Sequence, residues 1–213
     1  MILRQRVDSA YFRLKSVYLR ECLRASKERK KRKRALNIFR FIIKKGKGCW
    51  GLKLVPWSHI KSWACLGCGE CCKLTVQVTT KEWLNLTSLY GLGLVEQNIE
   101  GFWLRKTLDN SCPFLYRFPE RWVCGLQPMK PLACKLWPFR ICDSAKYGMH
   151  DESLFKYKNE NLYIYGYPQC TGFSYGKPTE QFMLKTLPEF IVIGLGLMRE
   201  QFYSTSRLRH SIF

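Results

Sequence analysis

The arrangement of cysteines constrains this chain more than any other feature. Four of them lie within the run Cys65-Leu66-Gly67-Cys68-Gly69-Glu70-Cys71-Cys72, and four more follow singly. A thiolate is a soft, charged ligand, and close spacing lets one loop surround a metal ion or an iron–sulfur cluster. The pattern therefore predicts a cysteine-ligated inorganic site. Its candidate ligands are Cys65, Cys68, Cys71, Cys72, Cys112, Cys124, Cys134 and Cys170.

Disulfides are the alternative for clustered cysteines, and they require a secretory route. The first residues do not resemble a secretory leader, because Arg4, Arg6 and Asp8 stand where its apolar core would begin. The longest C-terminal apolar run extends only from Phe190 to Met198, whereas a membrane-spanning helix needs about 20 residues. We expect a cytoplasmic, reducing setting, in which such cysteines are more often metal ligands than cystines.

The positive charge is concentrated at the N-terminus. Of the 36 Lys and Arg residues, 17 lie in residues 1–50 with only 3 acids. Apolar residues recur every three or four positions between Val7 and Ala25, which predicts an amphipathic helix. We divide the chain into a basic helical extension at 1–48, a linker at 49–61 and a cysteine-cluster domain at 62–205. Residues 1–45 are expected to contact nucleic acid or an anionic membrane surface, or to form a solvated tail.

Local patterns predict a mixed fold around the cysteines. Thr79 and Glu82 form a capping-box pattern, which predicts a helix through about Leu89. Alternation over 74–78 predicts a strand. The other predicted elements are strands at 102–104 and 121–124, a hairpin joining 154–158 to 162–167, a helical turn within 125–140, and helices from Pro178 and from Pro188 to about Phe202. The predicted class is α+β: a small, loop-rich, metal-organised domain with C-terminal helices.

The cysteine spacing resembles that of a known family. The run from Cys65 to Cys72, followed by Thr79 and Glu82, is similar to the opening of the YkgJ-like cysteine-cluster family, whose members are described as zinc- or iron-chelating. Three further elements are similar to those of the family over about residues 62–200: Cys112-Pro113-Phe114-Leu115, then Cys124, Pro131, Cys134 and Pro138 at matching spacing, then Cys170 with Gly172.

Some positions depart from the family pattern. Lys130 and Lys135 stand in place of arginines, and Trp137 stands in place of a phenylalanine. Charge and bulk are retained, but the bidentate contacts of a guanidinium group are lost. The resemblance implies a metal or iron–sulfur protein. Some members are labelled iron–sulfur oxidoreductases, and a flagellin lysine N-methylase is a related outlier with a similar cysteine pattern.

Three functions follow as alternatives. The first is an iron–sulfur protein that exchanges electrons with a redox partner or acts as an oxidoreductase. The second is a zinc-stabilised structural or nucleic-acid-binding module. The third, by analogy alone, is a protein lysine N-methyltransferase-like enzyme. The spacing C-x2-C-x2-C favours an iron–sulfur cluster over zinc, because it resembles the ferredoxin run, whereas a zinc ribbon has two C-x2-C pairs.

The remaining polar residues have simpler interpretations. Lys130, Lys135 and Arg140 are predicted to balance the charge of ligated thiolates, with an anionic substrate as the alternative. Glu70 is predicted to be a solvated loop acid. The other cysteines and the histidines are predicted to be ordinary residues: Cys22, Cys49, Cys142, His59, His150 and His210.

Overall fold

Short antiparallel strands make up most of the fold. The computed structural model describes residues 53–126, 129–198 and 200–203, and these residues belong to one compact unit. The strands are β1 (Val55–Pro56), β2 (Ile60–Trp63), β3 (Gln77–Val78), β4 (Val95–Asn98), β5 (Gly101–Leu104), β6 (Leu115–Phe118), β7 (Arg121–Cys124), β8 (Phe139–Cys142), β9 (Leu154–Tyr157), β10 (Glu160–Gly166) and β11 (Phe173–Tyr175).

The helices are short. They are α1 (Thr80–Tyr90), α2 (Leu132–Leu136), α3 (His150–Ser153) and α4 (Leu187–Gly194). A π-helical turn at Phe182–Thr186 leads directly into α4. Single 3-10 turns occur at Trp57–His59, Glu70–Lys73 and Leu92–Leu94.

Four small sheets result from the strand pairing of the described residues. In the largest, β10 pairs with β1, β8 and β9. The others are β2 with β11, β6 with β7, and β5 between β3 and β4. Every pairing is antiparallel. Sheets of two or three short strands are marginal by themselves, so side-chain packing has to stabilise them.

Two apolar clusters provide that packing. The α1 cluster surrounds the fully buried Leu86 and comprises Val76, Val78, Leu86, Val95, Leu104, Phe114 and Leu126. The aromatic cluster surrounds Phe139, whose ring contacts those of Trp63, Phe173, Phe182 and Phe190 at centroid distances of 4.8 to 6.1 Å. The first cluster joins α1 to β3–β5, and the second joins β2, β8 and β11 to α4.

Several predicted elements are confirmed. The capping box is present, since the Thr79 hydroxyl accepts a hydrogen bond from the Glu82 N–H while the Glu82 carboxylate accepts one from the Thr79 N–H. Strands occur at 101–104 and 121–124, and the predicted hairpin consists of β9 and β10. The helical turn within 125–140 is α2.

Other predictions are wrong in extent. Only Gln77–Val78 of the predicted strand at 74–78 pairs. Within the predicted linker at 49–61, the described residues contain β1 and the start of β2, and Ile60 is fully buried. These strands pair with β10 and β11, which are distant in sequence.

The C-terminal helix also differs from the prediction. It does not restart at Pro188, because helical turns already run from residue 180. It ends at Gly194 instead of near Phe202. Gly196 adopts a left-handed conformation at φ +66°, and the N–H groups of Gly196 and Leu197 bond to the carbonyls of Ile193 and Val192. This is a Schellman stop, in which a glycine ends a helix and satisfies its last carbonyls.

The basic helical extension predicted at 1–48 lies outside the described residues. Within the described residues, no helix has both the length and the apolar character needed to cross a membrane.

Candidate metal centre

The loop that carries the first cysteines is held against β7. Gly67 and Gly69 have φ values of +66° and +77°, which are left-handed conformations that favour glycine. The Trp122 N–H donates to the Gly67 carbonyl at 2.7 Å. A Cβ at Gly69 would lie 3.1 Å from the Trp122 ring. The two glycines therefore let the loop turn sharply against the backbone and ring of one tryptophan.

Replacing Gly69 with alanine is expected to lower the free energy of unfolding by about 1–2 kcal/mol, because the new side chain must adopt the left-handed conformation beside the Trp122 ring. The measurement is urea unfolding followed by circular dichroism. The matched control is Gly93→Ala, since Gly93 has open space around its Cβ position and no left-handed φ. Equal stabilities of the two variants would contradict the expectation.

Five of the predicted ligands form one group, called here the five-thiol set. Cys71 and Cys72 lie in the 3-10 turn at 70–73. The Cys72 thiol is hydrogen-bonded to the sulfurs of both Cys71 and Cys112. Cys112, Cys124 and Cys134 pack against the α1 cluster, and the Cys134 sulfur interacts electrostatically with those of Cys71, Cys112 and Cys124. Four separate segments thus bring five sulfurs together, and three of these sulfurs lie against the α1 cluster.

The pKa values within the five-thiol set diverge. The hydrogen bond with Cys72 lowers the pKa of Cys71 to about 7 and that of Cys112 to about 7. The same hydrogen bonds raise the pKa of Cys72, which retains its proton. Burial raises the pKa of Cys124 and of Cys134. Two of the sulfurs are therefore partly ionised at neutral pH, and thiolate is the form that ligates metal.

Two lysines place positive charge beside this set. Lys130 interacts with Cys71, Cys124 and Cys134, and in each case it lowers the pKa of the thiol. Lys106 does the same for Cys112. Its ammonium group also donates to the carbonyl of Lys73, which ties the 3-10 turn to the segment before Cys112. The predicted charge-balancing role thus agrees with the position of Lys130, while Lys106 was not singled out.

The other three predicted ligands form a second group, called here the three-thiol set. The Cys170 sulfur interacts electrostatically with those of Cys65 and Cys68. It also accepts a hydrogen bond from the Trp63 indole N–H at 3.3 Å. Burial raises the pKa of Cys170, and the Trp63 hydrogen bond opposes that rise. This set is anchored on β2 and β11, beside the aromatic cluster.

The remaining predicted polar residues lie in different surroundings. Cys142 is buried in β8, as expected for an ordinary thiol, and Arg140 interacts with it and with Tyr167. Glu70 pairs with Lys73 at 2.7 Å on the surface. His150 contacts Tyr163 and Asp151. Three more residues that were predicted to be ordinary lie outside the described residues: Cys22, Cys49 and His210.

Sequence reasoning missed a second role of Glu82. Beyond capping α1, its other carboxylate oxygen accepts a hydrogen bond at 2.6 Å from the N–H of Leu132, the first residue of α2. One side chain therefore closes the N-termini of both α1 and α2, and α2 carries Cys134. The capping-box pattern revealed the local bond, but no sequence signal indicated a partner 50 residues away.

The donor chemistry suits zinc or iron, since every member of the two sets is a thiol. As they stand, however, no three His, Cys, Asp or Glu side chains within residues 53–126, 129–198 and 200–203 are arranged to hold a metal ion. The residues therefore fit a thiolate-bound group in type and number.

Comparison with known proteins gave one match. Residues 64–163 match the family model CxxCxxCC, described as a putative zinc- or iron-chelating domain. This range includes the whole five-thiol set together with Cys65 and Cys68, and it ends before Cys170. Neither the curated proteins nor the solved structures yielded a match. Over residues 64–163, the chain is therefore similar to the CxxCxxCC family, which confirms the predicted cysteine-cluster resemblance at the coarse level of a zinc- or iron-chelating domain.

Proposed function

We propose that the five-thiol set holds an iron–sulfur cluster and that the domain serves electron transfer. The observation that supports this proposal is the convergence of five sulfurs from four chain segments, three of which pack against the α1 cluster. A cluster of this kind supplies one-electron redox chemistry when it is bound. The protein's contribution is to hold the thiolates, limit access of water and balance their charge.

A preference for a cluster over a single zinc ion comes from the C-x2-C-x2-C spacing, which is similar to the ferredoxin run, whereas a zinc ribbon has two C-x2-C pairs.

Four of the five sulfurs suffice as ligands for a cluster, so one thiol need not ligate it, and Cys72 fits that role. It bridges Cys71 and Cys112 by hydrogen bonds and retains its proton. We assign the ligand role to Cys71, Cys112, Cys124 and Cys134. A hydrogen bond to a ligand sulfur raises the reduction potential of a cluster by stabilising the more negative, reduced form. Cys72 therefore has the position of a residue that tunes the potential.

Positive charge beside the set supports the same assignment. Four thiolates bring four negative charges to a half-buried site, and such charge requires compensation. Lys130 and Lys106 lie close enough to stabilise the ionised thiols. Replacing the family's arginine by Lys130 keeps this charge, since the interaction with sulfur does not require a planar guanidinium group.

The deciding experiment is anaerobic purification of the full chain, followed by measurement of iron, zinc and acid-labile sulfide per chain and a visible spectrum. We expect iron and sulfide in equal amounts and an absorption band that dithionite bleaches. Stoichiometric zinc without colour would reject the redox proposal in favour of a zinc-stabilised module. The nucleic-acid and membrane proposals concern residues 1–45, which lie outside the described residues.

A further inference from the structure

The β6–β7 hairpin presents an aromatic and basic surface that electron transfer does not explain. Every residue from Tyr116 to Trp122 is exposed, and this two-stranded sheet pairs with no other strand of the described residues. Tyr116 and Phe118 retain 53% and 46% of their accessible surface. Arg117 and Arg121 alternate with the aromatic residues. Exposed apolar surface that is bordered by polar groups marks a binding site.

The strand register places two aromatic rings and one cation on the same face of the hairpin. Tyr116 and Phe118 are two positions apart on β6, and their cross-strand partners are Val123 and Arg121. Side chains two positions apart on a strand share a face and stand about 7 Å apart, which leaves room for one planar group on each ring. Arg121 lies directly opposite Phe118, so it brings positive charge to that face.

The two faces of the hairpin have different neighbours. On one face, the Trp122 ring lies beside Gly69 of the cysteine loop, and the Arg117 guanidinium is 5.7 Å from the centre of that ring. On the other face, the Tyr116 ring occupies the space that a side chain at Gly125 would need. That contact orients the ring while half of its surface stays exposed. The Tyr116 face is therefore the one available to a ligand.

The charge of the chain indicates the class of ligand. The formal net charge is +20, which attracts a polyanion. Unpaired bases stack on exposed aromatic rings, and arginines beside such rings bind the phosphates. RNA commonly presents unpaired bases in loops and bulges, and aromatic rings on a sheet surface are a recurring way of binding them. An acidic protein would match the charge but would not require two rings at this spacing.

We infer that Tyr116, Phe118 and Arg121 form a binding site for single-stranded RNA. One base stacks on each of the two rings, and the Arg121 guanidinium binds a neighbouring phosphate. Because every base has a face that can stack, the site has little sequence preference. It is separate from residues 1–45, and it does not depend on which metal the cysteines bind.

The first test maps the contact on the unmodified, full-length, metal-loaded protein. A short single-stranded RNA that contains photoreactive uridines is cross-linked by light, and the modified peptides are identified by mass spectrometry. We expect cross-links at Tyr116 or Phe118. Cross-links that are confined to residues 1–45, or the absence of any RNA binding, would overturn the inference.

The second test measures the affinity of variants for the same RNA by fluorescence anisotropy across a salt series. Tyr116→Ala and Phe118→Ala should each weaken binding about tenfold, which is the order expected for one stacked base, without altering the salt dependence. Arg121→Gln should reduce the slope of log affinity against log salt by about 0.7, because one phosphate contact is lost. The matched control is Tyr175→Ala, which removes an equally exposed ring from β11 and should leave affinity unchanged.

Two further probes separate stacking from charge and RNA from DNA. Duplex RNA should bind equally well to Tyr116→Ala and to the unmodified protein, because paired bases are already stacked; an equal loss for both forms of RNA would overturn the stacking role. Single-stranded DNA should bind no more tightly than RNA, and tighter binding would overturn the assignment to RNA. Hairpin variants with unchanged affinity for single-stranded RNA would reject the site and leave an acidic protein as its occupant. Metal analysis and circular dichroism check each variant, and an absence of iron would reject only the proposed function.

Discussion

Cys112→Ser is expected to abolish the metal centre. Cys112 is hydrogen-bonded to Cys72 and packs against the α1 cluster, so it connects the 3-10 turn at 70–73 to the apolar core. A serine hydroxyl at this position is a poor ligand for zinc or iron, which prefer thiolate here. We expect bound iron and sulfide, or zinc, to fall to near zero, as measured by metal and sulfide analysis of the purified variant.

A large loss of stability should accompany the loss of metal. Thiolate–metal sites contribute on the order of 10 kcal/mol to the folding of small domains, and sheets as short as β6–β7 depend on such support. The melting temperature should therefore fall steeply relative to the loaded protein. Cys142→Ser is the matched control, because it makes the same chemical change at a buried thiol outside both sets. Cys112→Ser with full metal content would show that Cys112 is not a ligand.

Cys72→Ser tests whether Cys72 is a metal ligand or a hydrogen-bond donor to the ligands in the five-thiol set. A serine hydroxyl still donates a hydrogen bond but is a poor ligand, so we expect this variant to keep its iron and sulfide. The same metal analysis as for Cys112→Ser provides the comparison. Metal loss in both variants would mean that Cys72 is itself a ligand.

Glu82→Ala is expected to lower the free energy of unfolding by roughly 2–3 kcal/mol, because three bonds to one carboxylate are lost. These are the bonds from the Thr79 N–H and hydroxyl and from the Leu132 N–H. The loss leaves the N-termini of both α1 and α2 without their cap. Since α2 carries Cys134, the variant should also bind metal more weakly. Urea unfolding of the metal-free protein isolates the first effect, and competition with a chelator measures the second.

The control for this prediction is Glu96→Ala, which removes an exposed carboxylate from β4. A surface change of this kind usually alters stability by less than about 0.5 kcal/mol. Unfolding curves of Glu82→Ala and Glu96→Ala that coincide would refute the bridging role of Glu82. Glu82→Gln should be intermediate, because its amide oxygen can still accept one hydrogen bond.

Features that depend on neighbouring residues were predictable. The capping box at Thr79 and Glu82, the strand at 121–124 and the β9–β10 hairpin all follow from local propensities and spacing. The C-terminal helix end was predictable in principle, since Gly196 supplies the stop, but the apolar run beyond it suggested a longer helix. The extent of β2 was not predictable, because its partner β11 lies more than 100 residues later in the chain.

The sequence by itself determined the chemistry: thiols of the right type and number for a zinc- or iron-chelating domain, and glycines that let their loop turn. Only the tertiary structure decided how those thiols divide. The run from Cys65 to Cys72 is continuous in sequence, yet its first half associates with Cys170 through β2 and β11, and its second half associates with Cys112, Cys124 and Cys134 at the α1 cluster. The physical reason is that each half follows the apolar cluster to which its flanking strand is packed, and that packing depends on contacts between residues far apart in the sequence.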